Sequence, residues 1–574
     1  MRRRRAEHLY RRAGLEPSTE DPSRRGLLLI QIDALSHSVL RASLKRRYLP
    51  FLTQLVKRRG YRIHPYQTGI PATTPAFQVG LFYGNNEHVA GFRWLDKRTG
   101  RVFNVKRPDD AADAEALAAE RAPGLLQGGA AHTSIVGGGA ERTSLTLARV
   151  GREEPGPKSR TWSDLFVVML LNLWQILRLL GAAVVEAFIE LADSIRAEYE
   201  GRLVRDEWPF ILVRILSNVV FREIATHHVV LDIARGAPVI YVNFAGYDEL
   251  AHHRGPHSVS ARLALRGTDA RIREIFRAAQ RFGARDYDVF IFSDHGQVPT
   301  IPIDRVAGRS LSDELVHRLV YSRDLPPGVS DAELARLRTL VEIQRELEQV
   351  VPRRLAWVPR KIGDYIAQNL PPDPELMTLR TWSEVALLPT SDICHVYVTS
   401  IQRPLTLPEL RGDRAALWTA LVEHPAIWAV VGRGWIEEDG RRIAEVCTRS
   451  GAALVWPDGS YRCIGRNPFQ EAHFSETTPA ALHRFAWLPT AGDAILIGAR
   501  IHGRVVNFQE ELGGHGGPYP EEQTAFMLSP PHVGFDFSTV RHHTELYQFF
   551  WNSYRARIPQ APAIDPESGE RLSA

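Results

Sequence analysis

The sequence predicts an α/β protein with a doubly wound, mostly parallel central sheet. Continuous apolar runs begin at three places: GLLLIQIDAL from Gly26, APVIYVNFAGYDE from Ala237 and YDVFIFSDHG from Tyr287. A run without polar alternation is typical of a strand buried on both faces, as in a parallel sheet. Helix-like stretches at 49–59 and 260–282 separate the runs. Strands that alternate with helices favour the doubly wound architecture.

The predicted organisation is a core interrupted by insertions. A fourth and weaker apolar run, AILIGARIHGRVVNF at 494–508, is assigned to the same sheet. Length alone suggests two to four domains, or one large domain with insertions. The predicted segments are a basic disordered arm (1–25), the first part of the core (26–161), an apolar helical insertion (162–235), the second part of the core (236–306), a cap or accessory insertion (307–489), and the last part of the core with a C-terminal helix (490–574).

The composition excludes several classes of protein. The 574 residues are 44% hydrophobic, with 43 glycines and 37 prolines, which excludes collagen, low-complexity disorder and a chain that is mostly transmembrane. Three scattered cysteines are too few for a disulfide scaffold or a cysteine-based zinc site. The 71 Lys and Arg residues nearly balance 66 Asp and Glu residues, at a net charge of +5. We therefore expect no nucleic-acid scaffold role.

The basic arm at the start of the chain carries Arg2 to Arg5, and no apolar stretch follows before Arg25. A secretory signal peptide is not expected from this pattern. A solvated tail is the simplest interpretation, and contact with anionic lipid or nucleic acid is the alternative. With so few cysteines, we predict a cytoplasmic protein, with peripheral contact at the inner membrane face as an alternative.

The insertion at 162–235 is predicted to contain an amphipathic helix with a wide apolar face. Its longest uncharged run, 165–177, is shorter than the roughly 18 residues that a membrane span needs. Arg178 and Glu186 would also be costly at a bilayer centre. The helix is expected to pack within the molecule or in a homodimer, or else at a membrane surface.

Metal-competent side chains follow all four apolar runs. The candidates are Asp33 after the first run, Asp248 and His252 after the second, Asp294 and His295 at the end of the third, and His515 after the fourth. A single aspartate there is often a helix cap, and a single histidine is usually structural. Ligands bind at the carboxyl ends of the strands in open α/β sheets, so a shared pattern at four ends indicates one site. Three carboxylates and three imidazoles suit two Zn²⁺ or similar ions.

A hydroxyl nucleophile is available in the segment GIPATTPAFQVGLFYG. Thr73 and Thr74 lie in a turn ahead of a predicted helix. A hydroxyl there meets the positive end of the helix, and a nearby metal ion would stabilise its alkoxide. Ordinary N-capping by a threonine is the alternative explanation.

The order of these motifs resembles the alkaline phosphatase superfamily and, within it, the type I phosphodiesterase/nucleotide pyrophosphatase family. The strings that carry the resemblance are QIDAL, PATTPAFQ, YDELAHHRGP, FSDHGQ and GGHGGP. GNNEHVAGFRW, YDELAHH and the His515 segment also resemble a bacterial subgroup in which this domain is sometimes fused to a holin-like membrane region. The resemblance extends from Gly26 to about residue 530, interrupted by the helical insertion.

The resemblance implies a hydrolase of phosphoric esters that uses two divalent metal ions, zinc or alternatively manganese. The implied ligands are Asp248, His252 and His515 for one ion and Asp33, Asp294 and His295 for the other. Thr74 is the implied nucleophile, because it lies three residues after Pro71 as in the family motif, and it would form a phospho-threonine intermediate. The implied partner is a small-molecule or lipid phosphoester, with a diester preferred.

This chain departs from the family at the substrate contacts. The family often has Asn three residues after the nucleophile, where this chain has Phe77. The phosphate-binding Asn further along has no clear counterpart, and we assign its role to Asn85, Asn86 or Arg93. A phosphotransferase or phosphomonoesterase acting on lipid-linked or envelope phosphates is the alternative function, and a non-catalytic metal-bound scaffold is another.

Overall fold

The computed structural model describes residues 2–150, 181, 216–308, 311, 385–437, 439–470 and 474–555. The helices are α1 Arg2–Arg12, α2 His37–Lys45, α3 Pro50–Arg59, α4 Thr74–Tyr83, α5 Pro108–Ala119, α6 Arg222–Arg235, α7 Gly246–Arg254, α8 Val259–Phe282, α9 Ile303–Ala307, α10 Leu407–Asp413, α11 Ala415–Val422, α12 Thr478–Ala486, α13 Pro520–Gln523 and α14 Thr544–Phe550. The strands are β1 Gly26–Ile32, β2 Arg62–Gln67, β3 Arg93–Asp96, β4 Arg101–Asn104, β5 Ala130–His132, β6 Arg142–Ser144, β7 Val239–Phe244, β8 Tyr287–Phe292, β9 Val298–Pro302, β10 Val385–Thr390, β11 Ile393–Val398, β12 Ile427–Ile436, β13 Arg442–Cys447, β14 Gly451–Val455, β15 Tyr461–Gly465, β16 Ala494–Gly498, β17 Arg500–Ile501, β18 Arg504–Asn507, β19 Gly513–Gly514 and β20 Thr524–Ser529.

The core sheet has seven strands in the order β2-β20-β8-β1-β7-β5-β6. The pairs of β1 with β7 and β8, and of β5 with β6 and β7, are parallel. At one edge, β20 pairs antiparallel with β8, and β2 pairs antiparallel with β20. The predicted α/β class with a mostly parallel sheet is therefore confirmed, with β1, β7 and β8 from the three predicted runs adjacent at its centre.

Burial on both faces explains the apolar run of β1. All seven of its residues are buried. Leu27 and Leu29 belong to one hydrophobic cluster, and Leu28 and Ile30 belong to the cluster on the opposite face. Successive side chains of a strand point to opposite faces, so an uninterrupted apolar run is needed to fill both clusters. Full burial of each such side chain contributes about 1.5–3 kcal/mol.

A second sheet of seven antiparallel strands has the order β10-β11-β16-β12-β13-β14-β15. Its strands β10 to β15 lie within the predicted cap segment, 307–489. A smaller sheet with the order β17-β18-β9-β19 lies after the core strand β8 in the chain. Within it β9 pairs with β19, which leads into the His515 segment. The small sheet thus brings a loop from late in the sequence to the end of β8.

The assignment of the fourth apolar run to the core sheet is wrong. Residues 494–498 form β16, which lies between β11 and β12 in the second sheet and is antiparallel to both. Residues 504–507 form β18 of the small sheet. The error arose because β16 also contacts hydrophobic clusters on both of its faces. Its sequence is therefore as continuously apolar as that of a buried parallel strand. The segment boundaries at 162–235, 307–489 and 490–574 stay predictions.

The basic arm at 1–25 is not a disordered tail in the structure. Arg2–Arg12 is a helix that packs against α6 and α8. Ala6 and Tyr10, four residues apart, are its buried apolar contacts. Ala6 and Tyr10 are two buried positions among six arginines, and this pattern was too weak to predict the helix.

Most of the predicted helical insertion lies outside the described residues. The described part begins at Leu216 with a π-helical turn, Leu216–Phe221, that continues into α6. The amphipathic helix predicted around 165–188 falls on residues that the structure does not describe. In the described ranges, no helix combines the length and apolarity that crossing a bilayer requires.

Candidate functional site

Asp33 follows β1 and is the centre of the site. Its side chain is almost fully buried, with 3% exposure for the residue. One carboxylate oxygen, Oδ1, accepts a hydrogen bond from the Thr74 hydroxyl at 3.2 Å. The other, Oδ2, accepts from the Asn243 amide at 2.6 Å. Asn243 therefore fixes the carboxylate so that its free edge faces Thr74.

Asp294 and His295 follow the neighbouring strand β8 and are fully buried. The backbone N–H of Ala34 donates to Asp294 Oδ1 at 3.0 Å, which ties the ends of β1 and β8 together. His295 Nδ1 lies 3.0 Å from the carbonyl oxygen of Gly296. Its Nε2 lies 3.2 Å from Asp294 Oδ2 and 4.0 Å from Asp33 Oδ1. We call Asp33, Asp294 and His295 the inner group.

Thr74 is the first residue of α4 and lies against the inner group. Its Oγ1 is 3.3 Å from His295 Nε2, in addition to its hydrogen bond to Asp33. Thr73 occupies the N-cap position, but its side chain makes no capping hydrogen bond. N-capping therefore does not explain this pair of threonines. The Thr74 oxygen instead lies between the helix N-terminus and two ligand-type side chains.

Asp248, His252 and His515 form a second group, which we call the outer group. Asp248 and His252 lie four residues apart on α7, so both point from the same side of the helix, and His252 Nε2 is 3.3 Å from Asp248 Oδ1. His515 follows β19, and its Nδ1 donates to the carbonyl oxygen of Ala72 at 2.8 Å. The loop that carries His515 is thereby joined to the loop that carries Thr74.

The six predicted ligands come together as two triads. Within each triad, one nitrogen or oxygen from each residue lies within 4.8 Å of the others. The rings of His295 and His515 stack with their centroids 3.9 Å apart, so the triads are adjacent. The grouping matches the division that the sequence resemblance implied.

The electrostatics of the inner group favour a bound cation. Burial raises the pKa of Asp33 well above its usual value, and the nearby carboxylates of Asp294 and Asp248 raise it further. The pKa of Asp294 is also raised, again chiefly by burial. Its Oδ2 accepts no hydrogen bond from a described residue. Facing carboxylates buried without a counter-charge are costly, and a divalent ion would remove that cost.

The imidazoles of His295 and His515 are held neutral. Burial lowers the pKa of His295 to about 4 and that of His515 to about 3. A neutral imidazole offers a nitrogen lone pair to a metal ion. At the more exposed outer edge, burial opposes charge on both His252 and Asp248. The carboxylates of Glu511 and Asp248 nevertheless raise the pKa of His252, and His252 lowers that of Asp248. Mixed oxygen and nitrogen donors of this kind fit Zn²⁺, with Mn²⁺ as the alternative.

Sequence reasoning missed the polar residues behind the outer group. Glu511 Oε2 lies 3.3 Å from His252 Nδ1 and accepts hydrogen bonds from Ser391 Oγ at 2.9 Å and Asn507 Nδ2 at 3.1 Å. The same Ser391 hydroxyl accepts from the backbone N–H of His515 at 3.2 Å. Glu511 is four residues before His515 and was visible in EELGGHGGP. Ser391 is in a strand-connecting turn with no sequence signal.

Close packing explains two glycines beside His515. A Cβ on Gly513 would lie 2.3 Å from the carbonyl oxygen of Ala251 on α7, so only glycine permits this approach. Gly516 has a backbone φ of 127°, a conformation that residues with a side chain rarely adopt. The loop can therefore reach α7 and the nucleophile loop at the same time.

The three predicted substrate contacts, Asn85, Asn86 and Arg93, lie in three different environments. The Asn85 amide donates to the carbonyl oxygens of Tyr83 and Ala118, so it serves the backbone. Asn86 is buried and accepts a hydrogen bond from Arg484 at 3.4 Å. Arg93 begins β3 directly after Phe92, whose ring lies 6.2 Å from that of His515. Arg93 is therefore next in sequence to a residue whose ring lies beside the predicted ligand His515. Its role in binding the substrate stays a prediction.

Comparison with known proteins identifies the family. Residues 27–391, more than half of the chain, match the family described as type I phosphodiesterase / nucleotide pyrophosphatase. No protein among those with curated descriptions matches the sequence.

Several solved structures are distantly similar. Phosphonoacetate hydrolase from Sinorhizobium meliloti 1021, in complex with phosphonoformate, has a TM-score of 0.44 at 12% identity, covering 93% of this chain and 96% of that one. The wild-type alkaline phosphatase PafA has a TM-score of 0.46 at 11% identity, covering 94% and 97%. Murine ectonucleotide pyrophosphatase / phosphodiesterase 5 has a TM-score of 0.45 at 11% identity, covering 92% and 95%.

Membership rests on the family match and not on these distant structural similarities. Members of the family act on small-molecule phosphoesters and use two divalent metal ions. The chain belongs to the type I phosphodiesterase / nucleotide pyrophosphatase family, and it is a metal-dependent phosphoester hydrolase.

Proposed function

We propose that this protein hydrolyses phosphodiesters with Thr74 as the nucleophile and with two zinc ions, one at the inner and one at the outer group. The observation that carries the proposal is the position of Thr74 Oγ1, within hydrogen-bond distance of both Asp33 and His295 of the inner group. A nucleophilic hydroxyl needs a neighbouring group that can take its proton and an environment that stabilises its negative charge. The site supplies both.

The side chains around Thr74 prepare it for attack. Its hydroxyl proton is directed at Asp33 Oδ1, and the Asn243 amide holds Asp33 in that orientation through Oδ2. The Thr74 oxygen also lies at the N-terminus of α4, where the helix dipole favours negative charge. Every residue of α4 is buried, so this end of the helix is held rigidly.

The two bound ions would neutralise the charge of the phosphoryl oxygens and lower the pKa of the attacking hydroxyl. Asp33, Asp294 and His295 would hold one, and Asp248, His252 and His515 would hold the other.

The reaction proceeds in two displacements at phosphorus. In the first, the Oγ1–P bond forms, the bond from phosphorus to the leaving oxygen breaks, and the Thr74 proton leaves toward Asp33. The leaving alkoxide takes a proton from solvent. In the second, a water oxygen attacks phosphorus, the Oγ1–P bond breaks, and Thr74 regains a proton. The net reaction consumes one water and releases an alcohol and a phosphomonoester.

Hydrolysis of bis-p-nitrophenyl phosphate and p-nitrophenyl phosphate, with Zn²⁺ or Mn²⁺ supplied, tests the proposal. We expect the diester to be cleaved faster, and Thr74→Ala to lower kcat/KM at least about a thousandfold without loss of bound metal. Thr73→Ala is the matched control, because the Thr73 hydroxyl has no hydrogen-bond partner among the described residues.

Each result has a separate meaning. Full activity in Thr74→Ala would contradict the nucleophile. Thr74-dependent cleavage of the monoester alone would keep the site and make the protein a phosphomonoesterase. Failure to cleave either compound, with two metal ions bound, would favour a phosphotransferase with a narrow substrate range or a non-catalytic scaffold.

A further inference from the structure

One face of the core sheet is covered by helices that carry a strong excess of positive charge. Apolar residues of α2, α3, α6, α7 and α8 share one hydrophobic cluster with Leu28 and Ile30 of β1, and α1 packs on α6 and α8. We call the outward surface of α1, α2, α3 and α8 the basic layer. It contains none of the six predicted metal ligands.

The longest helix, α8, carries a stripe of four exposed arginines. They are Arg266, Arg273, Arg277 and Arg281. At 100° per residue they fall within about 80° of arc, and they extend along about 22 Å of the helix. Among the residues that the structure describes, none of the four forms an ion pair. Of the two acidic residues of α8, Asp269 is buried and Glu274 is paired with Arg271. The opposite side of the helix is buried, so the stripe faces outward.

The neighbouring helices α2 and α3 also present exposed basic side chains. Arg41 and Lys45 of α2 are exposed, as are Lys57 and Arg58 of α3. Neither helix contains an acidic residue. The chain as a whole is close to neutral, with 71 basic and 66 acidic residues, so this concentration is local and not a property of the composition.

A polar cavity of about 380 Å³ adjoins the basic layer where α3 and α8 end. Arg25, Arg59 and His532 line it, together with Asp286 and Asp288. It lies beside the first residues of β1 and β8, at the end of the core sheet opposite the metal groups. Arg25 and His532 both contact Asp288, so Arg59 is the cation that can meet a lipid phosphate, and Asp286 suits the hydroxyl or amine of a phospholipid headgroup.

We propose that the basic layer docks on the surface of an anionic phospholipid bilayer. Several clustered arginines and lysines on one surface bind anionic lipid through the negative surface potential. The four arginines of α8, together with Arg41, Lys45, Lys57 and Arg58, provide such a cluster.

Nucleic acid is the less favoured anionic partner. Binding of single strands relies on exposed aromatic rings that stack with bases. The aromatic side chains at the basic layer are engaged in packing: Phe276 packs against Phe51 and Tyr61, and the Arg266 guanidinium covers the Tyr48 ring.

Vesicle sedimentation of the full-length protein tests the proposal. The vesicles contain either phosphatidylcholine alone or phosphatidylcholine with about one-third phosphatidylglycerol. We expect binding to the anionic vesicles only, with loss of binding at high salt because the attraction is screened. The variant R266Q/R273Q/R277Q/R281Q is expected to bind at least about tenfold more weakly.

The matched control is R441Q/R449Q/R462Q/R466Q, which removes the same charge from exposed positions on the second sheet. It is expected to bind as the wild type does. Circular dichroism and phosphoester turnover of both variants should equal those of the wild type, since neither set touches the metal groups. Equal binding to both vesicle types, equal binding by the α8 variant, or a preference for duplex DNA that displaces the vesicles would overturn the proposal.

Discussion

The inner and outer groups have similar ligands but are built by different parts of the fold. The inner group comes from the ends of two adjacent parallel strands, β1 and β8, and all its residues are buried. The outer group combines α7 with the loop after β19, and Asp248 and His252 are partly exposed. Its histidines are held by Glu511 and Ser391, which lie outside the core sheet.

This difference separates two tasks. The inner group contacts Thr74 and depends only on the parallel sheet. The outer group also depends on the small sheet, and Glu511 and Ser391 behind it lie outside the core sheet. We expect changes behind the outer group to tune metal affinity, and changes in the inner group to abolish turnover.

Removal of one ligand from each group should have the largest effect. Asp294→Ala is expected to lose about one equivalent of metal and at least a thousandfold in kcat/KM, because the same group positions Thr74. His515→Ala is expected to lose about one equivalent with a smaller loss of activity, since Thr74 keeps both its contacts. Metal analysis and kinetics measure both. Unchanged metal content in the two variants would refute the site.

Glu511→Gln should weaken the outer group alone. An outer carboxylate that orients a ligating histidine is typically worth 10–100-fold in metal affinity. We expect one of the two metal ions to be lost about 10–100-fold more readily to a chelator, with the other unaffected. Glu510→Gln is the control, because Glu510 forms no ion pair within the described ranges. Equal weakening of both ions would mean that the groups are not independent.

A carboxyl pair lies under the loop that carries His515. Asp392 and Glu522 are fully buried and face each other, and the backbone N–H of Gly517 donates to Glu522 at 2.7 Å. Burial raises the pKa of Asp392 to about 6 and that of Glu522 well above its usual value. A carboxyl whose pKa is raised by folding stabilises the protein below its unfolded pKa, and this contribution is lost as pH rises through the folded value.

Asp392→Asn should therefore change the pH dependence of stability. The variant is expected to gain about 1–3 kcal/mol relative to wild type at about pH 8 and little at about pH 3, below the unfolded pKa. Denaturant unfolding at the two pH values measures this, with Asp286→Asn as the exposed control. An equal effect at both pH values would show that the pair does not titrate in this range.

Sequence predicted the inner half of the site better than its surroundings. Asp33, Asp294 and the adjoining histidine each follow an apolar run that is typical of a central strand, and parallel strands bring their ends together. The family resemblance supplied the choice of Thr74 over Thr73. The bacterial subgroup and the cytoplasmic location stay predictions.

The rest of the fold and of the site depends on contacts between residues that are distant in sequence, and the local sequence pattern does not predict such contacts. The run at 494–508 was placed in the wrong sheet because a buried antiparallel strand has the same apolar composition as a parallel one. Ser391 and Asn507 gain their roles only when the second and small sheets meet the core. The helix Arg2–Arg12 was missed because its fixed position depends on contact with α6 and α8.

The stereochemical course at phosphorus tests the central claim most directly. The substrate is a chiral phosphorothioate diester, hydrolysed in ¹⁸O-labelled water, and the configuration of the product is determined. Two successive in-line displacements, the first by Thr74, predict net retention of configuration. Net inversion would show that water attacks the diester in a single step, and it would contradict a covalent intermediate on Thr74.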